Sequence, residues 1–403
     1  MEYFNTHISA LTIVFLALAF AAACVSAIVG MRHLRSVARY GRRAEKQESD
    51  LLAIPDDKLP SATVVVYTRN AEDYLRDFVK SLESQNYPKF DIVIVNDGST
   101  DMTREVTDNL IKEYPNIKYT FVSDTAKNVS RVKVAYTLGI KASDNEVIVT
   151  TAANCRPVSD NWLRLLCAPL SNPRIGVSLG YSYVPSEIQT DKGRYSRAFD
   201  STLASAQWLG AGLEGKTFRG DQYNLAFRRK LFFDNKGYAS STALNGGHDD
   251  IFINEIASRT ESSVCLHPDA SVEVDWDPSQ IQRLYRDARE RRLFAARFLR
   301  KDAFRLQGLN SACIYAMLGF IVAAIAITVP NLFTVVLSAG IIILFWGYQI
   351  CVYRRTSEVL KTMPIIWSVP LRWLIRPITT LLQKEHGKNA NAKHYTWSVG
   401  MKP

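Results

Sequence analysis

The chain has 403 residues, with 49 Lys and Arg against 39 Asp and Glu, a net charge of +10 and 47% hydrophobic residues. That length allows one or two globular domains, and the sequence has no internal repeats or low-complexity tracts. The positive surplus does not indicate nucleic acid. No zinc-finger or helix-turn-helix signature is present, and the basic residues gather beside apolar segments, where anionic lipid headgroups attract them.

Ile8 to Met31 carries no charge. Roughly 20 apolar residues cross a bilayer, so residues 1–31 predict an N-terminal transmembrane helix. A secretory signal would begin with a basic region, and MEYFNTH has neither Lys nor Arg. Residues 32–59 are polar and charged and predict a juxtamembrane linker, helical at its start. A globular domain is expected over 60–282. It opens with a β-rich run at 62–67, a helical periodicity at 71–85, a second strand at 91–95 and a helix at 102–114. A strand at 118–122, a helix at 129–142 and a strand at 147–150 follow. Strands alternating with helices imply an α/β fold with a mostly parallel sheet covered on both faces. The continuous Val and Ile runs suit strands buried on both sides. Beyond Ile175 the pattern loosens: strand at 177–184, helix at 194–209, extended chain at 223–227 and helix at 249–258.

A basic interfacial helix is expected over 283–307, with Leu284, Tyr285, Ala288, Leu293, Ala296 and Leu299 at its apolar positions. Residues 308–353 are too long for one span, and Val329-Pro330-Asn331 breaks them into two. In 354–403 the prolines, Arg372 and Arg376 favour an amphipathic interfacial helix over a fourth crossing, followed by a polar tail. Three basic clusters flank the spans: Arg32, Arg35, Arg39, Arg42 and Arg43; Arg297, Arg300, Lys301 and Arg305; Arg354 and Arg355. Excess Lys and Arg marks cytoplasmic flanks, so all three clusters, and the domain between them, are expected on the cytoplasmic side. None of the six cysteines forms a CxxC pair, and free thiols are expected.

The chemistry-bearing stretches begin with Asn96-Asp97-Gly98-Ser99-Thr100-Asp101. Asp97 follows a buried strand, at the edge where open α/β sheets bind ligands, and can accept from a base N–H or ribose hydroxyls. Ser99 or Thr100 can cap the next helix, with Glu105 in reach. An ordinary Asp-Gly turn would use the same residues. Gly246-Gly247-His248-Asp249-Asp250 likewise suits either a helix N-terminus, where acids are favoured by the dipole, or a catalytic carboxylate.

Together with Thr68-Arg69-Asn70, Lys127-Asn128-Val129-Ser130-Arg131, Cys155-Arg156-Pro157 with Trp162-Leu163, and Tyr223 to Arg228, these blocks resemble the family-2 glycosyltransferases of the GT-A fold, in their bacterial membrane-anchored form. The resemblance runs over roughly Ser61 to Arg305. It implies that Thr68, Asn70 and Asp97 hold the base and ribose of a UDP- or GDP-linked sugar, and that Arg131 or Lys133 faces its diphosphate. Asp249 would be the general base for inverting displacement at the anomeric carbon, with His248 and Asp250 beside it. Ala152 and Asn154 align with the two acids of the DxD motif, which hold Mg2+ or Mn2+, and Arg291-Arg292 with the basic end of a QxxRW motif. The implied acceptor is lipid-linked or a growing glycan at the cytoplasmic face of the inner membrane.

Two departures matter. The DxD slot reads Ala152-Ala153-Asn154, leaving one neutral oxygen as a weak metal ligand, and the glutamine and tryptophan of QxxRW are absent. Either the metal is held loosely by Asn154 and the diphosphate, or basic side chains such as Arg131 or Arg291 replace the metal. The alternative is a catalytically degenerate transferase acting as a structural or regulatory partner in the membrane.

Overall fold

The structure, a computed structural model, describes residues 9–41, 43–123, 129–242, 244, 246–328 and 331–389. Arg42, Lys127, Asn128, Val329, Pro330 and the polar tail lie outside the described residues. The strands are β1 (Ala62–Thr68), β2 (Phe90–Asn96), β3 (Ile117–Phe121), β4 (Val147–Ala152), β5 (Cys155–Pro157), β6 (Ile175–Leu179), β7 (Tyr181–Tyr183), β8 (Leu225–Arg228), β9 (Glu261–Val264) and β10 (Ser271–Val274). The helices are α1 (Ala10–Val25), α2 (Arg32–Tyr40), α3 (Ala44–Leu52), α4 (Leu75–Glu83), α5 (Thr103–Glu113), α6 (Arg131–Lys141), α7 (Trp162–Cys167), α8 (Arg194–Leu213), α9 (Arg229–Asp234), α10 (Ile251–Ile256), α11 (Ile281–Ala295), α12 (Arg305–Ile327), α13 (Leu332–Val359) and α14 (Val369–Asn389).

Seven strands form the main sheet in the order β3-β2-β1-β4-β8-β6-β9. β3, β2, β1 and β4 run parallel, β8 is antiparallel to both its neighbours, and β9 is parallel to β6. The expected parallel sheet is therefore present, with one reversed strand. A second, three-stranded sheet has the order β5-β10-β7.

The strand expected over 177–184 is two strands belonging to different sheets. They part at Gly180, where an added Cβ would stand 2.3 Å from the Asn224 side chain. That buried amide donates to the carbonyls of Tyr181 (3.0 Å) and Ala270 (2.8 Å) and accepts from Trp162 Nε1 (3.0 Å). One satisfied amide thus fastens the two sheets together, at the junction where the cavity described below opens.

Three helical stretches are long and apolar enough to cross a membrane: Ala10–Gly30, in which α1 is prolonged by a π-helical turn, α12 and α13. α13 has 28 residues, about 42 Å. Arg354 and Arg355 therefore lie on the helix rather than beyond it, and Arg354 pairs with Glu358 one turn on (2.9 Å). The three stretches share a buried polar contact. Ser26 Oγ donates to Asn310 Oδ1 (2.5 Å) and accepts from Gln349 Nε2 (2.9 Å). Between helices in lipid, such bonds and small residues carry the association; Gly30 packs directly on Asn310.

Residues 32–59 are not an unstructured linker. Leu34, Val37 and Tyr40 recur at helical spacing and are buried. α2 approaches α8 so closely that a Cβ on Gly210 would stand 2.6 Å from the His33 carbonyl oxygen. Tyr40 Oη accepts from the Leu266 amide (3.2 Å) and Arg32 pairs with Glu214 (2.8 Å). The helix expected over 283–305 also differs. α11 ends at Ala295, and a 3-10 turn at Lys301–Phe304 leads into α12. On α14, Trp373 is buried against Phe199, while Leu371, Ile375, Ile378 and Leu382 form an exposed apolar stripe.

α6 lies on the sheet at Gly139, where a Cβ would meet Val65 Cγ1 at 2.3 Å. Both groups are buried and valine has no flexible end to withdraw. Gly139→Ala is expected to destabilise the domain by about 1–3 kcal/mol through overpacking, read as a lowered unfolding midpoint in thermal or denaturant melts.

Candidate active site

The β1 and β2 ends carry the first group of expected residues, and the fold uses much of their polarity internally. Thr68 is buried; its hydroxyl bonds the Val66 carbonyl (3.4 Å) and its own carbonyl accepts the Asp97 amide (2.9 Å). Asn70 adopts φ +49, a region asparagine tolerates. Its carbamoyl oxygen accepts from the Thr100 amide (2.9 Å), tying the two loops together. Gly98 at φ +64 makes the turn. The expected cap differs. Asp101 accepts from the Thr103 amide (3.1 Å) and hydroxyl (2.5 Å), and Glu72 takes the Met102 amide (2.7 Å). Ser99 instead turns back onto Asn96.

Asp97 is 1% exposed and held on both oxygens, by Arg131 Nε (2.6 Å) and Tyr67 Oη (2.5 Å). Arg131, expected at the diphosphate, is paired with this carboxylate instead. Lys133, the other candidate for that place, is buried and donates to the backbone carbonyls of Ser241 and Leu244 (3.2 Å). Burial lowers the Lys133 ammonium to about 8, against the pull of Asp250, Asp249 and Glu255.

Ala152 ends β4 with its methyl buried in the core, as is that of Ala153. Asn154 is half-buried; its amide group donates to the Asp275 carbonyl (3.1 Å), and the Asp275 amide returns a bond to the Asn154 carbonyl (2.9 Å). Asp275 itself is exposed.

The second group surrounds a cavity of about 230 Å³. Its walls come from β7, α8, the 220–223 turn, the 246–250 turn, α11 and the segment after α13. His248, Asp249, Asp250 and Arg291 all line it. Gly247 at φ +97 shapes the turn, and a Cβ there would strike Ile251 at 2.6 Å. Asp250 caps α10 by accepting the Ile251 amide (2.7 Å), and its other oxygen accepts from Arg219 (2.9 Å). Both of its oxygens are thus taken within the fold. Asp249 is half-buried, and burial raises its carboxyl above the usual aspartate range, opposed by Arg219 and Arg291. His248 Nε2 meets Gln222 Oε1 at 3.0 Å, and burial, with Lys133 and Arg291, lowers its imidazole to about 3. Among the described residues no carboxylate pairs with Arg291 or Arg292, although Arg289 beside them is bound to Asp200 (3.2 Å).

The two groups are connected by aromatic rings. Tyr67, bonded to Asp97, lies 6.3 Å from Tyr136, which stacks on His248 at 5.5 Å. The cavity itself is lined by Asp249 and not by Asp97. Sequence reasoning passed over Asp221, which accepts from the Ser182 amide (2.8 Å) and hydroxyl (2.7 Å) and so holds β7 to the 220–223 turn. Its signal was its place two residues before the Tyr223–Arg228 block. Thr362 and Met363 also line the cavity, and nothing local marks them.

The glycosyl transferase family 2 profile matches residues 63–234, from β1 to the end of α9. These residues form a glycosyl transferase family 2 domain. The family 2 domain is similar to the probable glycosyltransferase YdaM of Bacillus subtilis, at 26% identity over 46% of this chain and 46% of that protein. It is also similar to the GalNAc(5)-diNAcBac-PP-undecaprenol beta-1,3-glucosyltransferase of Campylobacter jejuni, at 26% identity over 40% of this chain and 51% of the relative. The chain thus spans about half the length, or less, of the curated relatives it matches. A solved structure, the mannosyltransferase PcManGT from Pyrobaculum calidifontis in complex with GDP-Man and Mn2+, matches with a TM-score of 0.47 and 18% identity, covering 86% of this chain and 99% of that one. The fold is α/β of the GT-A type, with one N-terminal and two C-terminal candidate membrane helices.

The two adjacent aspartates are expected to separate on substitution. Asp250→Ala leaves buried Arg219 unpaired and α10 uncapped, a loss of about 3–5 kcal/mol for the broken pair. Asp249→Asn should leave the melting midpoint close to that of the parent chain. Paired thermal melts of the two variants check the contrast.

Proposed function

We propose that the chain is an inverting glycosyltransferase working at the cytoplasmic face of the bacterial inner membrane. It takes a nucleotide-activated sugar, UDP- or GDP-linked, and passes it to a lipid-linked or glycan acceptor. Asp249 removes the acceptor hydroxyl's proton. The acceptor oxygen forms the new bond to the anomeric carbon as the bond to the phosphate oxygen breaks, and the nucleoside diphosphate leaves with the electron pair. A positioned carboxylate base contributes about 10²–10⁴-fold.

The observation carrying this reading is the composition of the cavity: a half-buried carboxylate of raised affinity for protons beside two guanidinium groups with no carboxylate partner among the described residues. Charge developing on a leaving diphosphate must be met by preorganised positive groups. Arg291 and Arg292 have the chemistry for it. Thr68, Asn70 and Asp97 would lie along the nucleoside. Arg131 sits across Asp97 and would share the base or ribose rather than the diphosphate. Lys133 acts on the 241–244 backbone in this reading, behind the site.

The DxD slot does not fit a resident Mg2+ or Mn2+. Its two alanine methyls are buried, Asn154 has one neutral oxygen to give, and the neighbouring Asp275, just past β10, is a single exposed carboxylate. Among the described residues, the group of three whose ligand atoms converge is Glu48, His267 and Asp269, and none of these lines the cavity. No step is therefore assigned to a metal.

The membrane placement rests on three flanking basic clusters and three apolar helices. The acceptor class rests on Thr362 and Met363, which follow the third span and line the cavity, and on the undecaprenol-linked substrate named for one relative. A second reading, a degenerate membrane partner of another enzyme, is favoured by two observations: Asp97 is covered by Arg131, and the slot beside β4 has no acid.

Incubation of the full chain with nucleotide sugars separates the two. Nucleoside diphosphate release is expected, falling about 10²–10⁴-fold in Asp249→Asn. Donor binding without any release would support the degenerate partner instead. Because the base works unprotonated and burial raises its pKa, kcat/KM should fall on an acid limb lying above the ~4 of an ordinary aspartate.

Removal of metal gives a further contrast. EDTA is expected to leave the release rate within about twofold. Replacing Arg291 and Arg292 by alanine should lower it about 10²-fold or more. Strong inhibition by EDTA, reversed by Mn2+, would contradict the arginine assignment.

A further inference from the structure

His248 stands directly before the proposed base, lines the same cavity and is 8% exposed. Its ring is fixed on one face by Tyr136, stacked at 5.5 Å with 26° between planes. Its edge is fixed by Gln222, whose Oε1 lies 3.0 Å from Nε2. A carbonyl oxygen can only accept, so the imidazole hydrogen sits on Nε2. Nδ1 is then a bare acceptor, and it has no hydrogen-bond partner although it is buried. Buried polar atoms left without a partner cost about 1–3 kcal/mol and are normally satisfied. The two groups that fix the ring do not satisfy it: Gln222 Oε1 is engaged at Nε2, and Tyr136 Oη donates toward the carbonyls of Thr151 (3.5 Å) and Gln222 (3.4 Å).

We propose that His248 is a specificity-determining residue whose Nδ1 accepts a hydrogen bond from a hydroxyl of the sugar occupying this cavity. The inference rests on the glycosyl-transfer reading and deepens it. The surroundings suit the class of ligand: Trp208, Trp276, Tyr181 and Tyr285 line the same space, and flat aromatic faces pack against the C–H faces of sugar rings. Burial, with Lys133 and Arg291 nearby, disfavours a second proton on the ring, so the imidazole remains an acceptor through the working pH range. The hydroxyl belongs either to the donor sugar or to the acceptor sugar, and the two are separable.

The test uses the full chain in detergent or lipid nanodiscs, with His248→Phe and His248→Asn. UDP, GDP, UDP-glucose, UDP-N-acetylglucosamine and GDP-mannose are titrated calorimetrically, and turnover is followed as nucleotide release. If the donor sugar is read, His248→Phe weakens the sugar nucleotide by about 5- to 100-fold and leaves bare UDP or GDP unchanged. If the acceptor sugar is read, both donor affinities persist and the loss falls on KM for acceptor, with deoxy acceptors no longer discriminated. Either result supports the proposal. Unchanged sugar affinity, unchanged acceptor KM and unchanged deoxy discrimination in the variants would overturn it while leaving glycosyl transfer standing. Absence of binding and turnover with every donor would overturn both. Should the variants fail to fold, 15N-histidine NMR on the parent chain decides. The Nδ1 resonance is expected in the unprotonated position and should move on adding sugar nucleotide or acceptor, and not with UDP or GDP alone. A proton found on Nδ1, or a resonance indifferent to every sugar, would overturn it.

Discussion

Two consecutive carboxylates, Asp249 half-buried and Asp250 buried, stand at the entrance to α10, and the arrangement around them follows from the cost of keeping them there. Neither can be ionised in a low-dielectric wall without nearby positive charge. Arg219 satisfies Asp250 directly, and the helix N-terminus adds an amide. Among the described residues no cation pairs with Asp249. Its burial is only partly offset by the fields of Arg219 and Arg291 and by the backbone amides at 249 and 250, so it holds its proton more tightly than a surface aspartate. The two residues differ in environment more than in chemistry. One is consumed by the fold and the other is left facing the cavity. On His248, burial together with Lys133 and Arg291 acts the other way, disfavouring a second proton.

That asymmetry depends on supports some distance along the chain. α6 sends Arg131 to Asp97 at one side and Lys133 to the 241–244 backbone at the other. Tyr136, in the second turn of the same helix, lies between Tyr67 and His248. Close approach at Gly139 sets how near these groups come to the sheet. A nucleoside displacing Arg131 from Asp97 would therefore act on an element that also touches the loop leading to Asp249. The contact network provides the means for such coupling; a two-state change in α6 would be needed to call it allostery.

Much of the scaffold was legible in the sequence because its signals are local. Three of the four parallel strands, β1, β2 and β4, announce themselves as continuous Val and Ile runs, and the helices between them as repeating apolar positions. Asp249, His248 and Arg291, which the resemblance implies as functional, line one cavity. What was not legible depends on partners distant in sequence. The break at Gly180 is imposed by Asn224, and the helical order of 32–59 by α8. Arg131 and Lys133 looked alike as cations on one helix, yet opposite faces of α6 send them to a carboxylate and to backbone carbonyls. Asp250 beside Asp249 carried the same signal in the motif, and only the position of Arg219 distinguishes them.

The membrane helices and the domain are built as one body rather than as an anchor and a tethered enzyme. α2 continues from the first span and is seated on α8, with Gly210 allowing the approach. α8 also contributes Arg197, Ala198, Ser201, Ser205 and Trp208 to the cavity. From the other side, the chain leaving α13 turns at Lys361, φ +48, whose ammonium reaches Ser271 (3.1 Å) and lies 4.9 Å from the Tyr183 ring centroid. The next two residues form part of the cavity wall, and Thr362 meets Thr202 of α8 at 2.6 Å. Trp367, 95% exposed, and the apolar stripe of α14 follow within a few residues. A flexible tether would allow the site to rotate freely against the bilayer. Here the position of the third span fixes one wall of the cavity, so a ligand held in lipid would meet Asp249 at a set depth and orientation, and positioning of this kind lowers the entropy cost of bringing two reactants together.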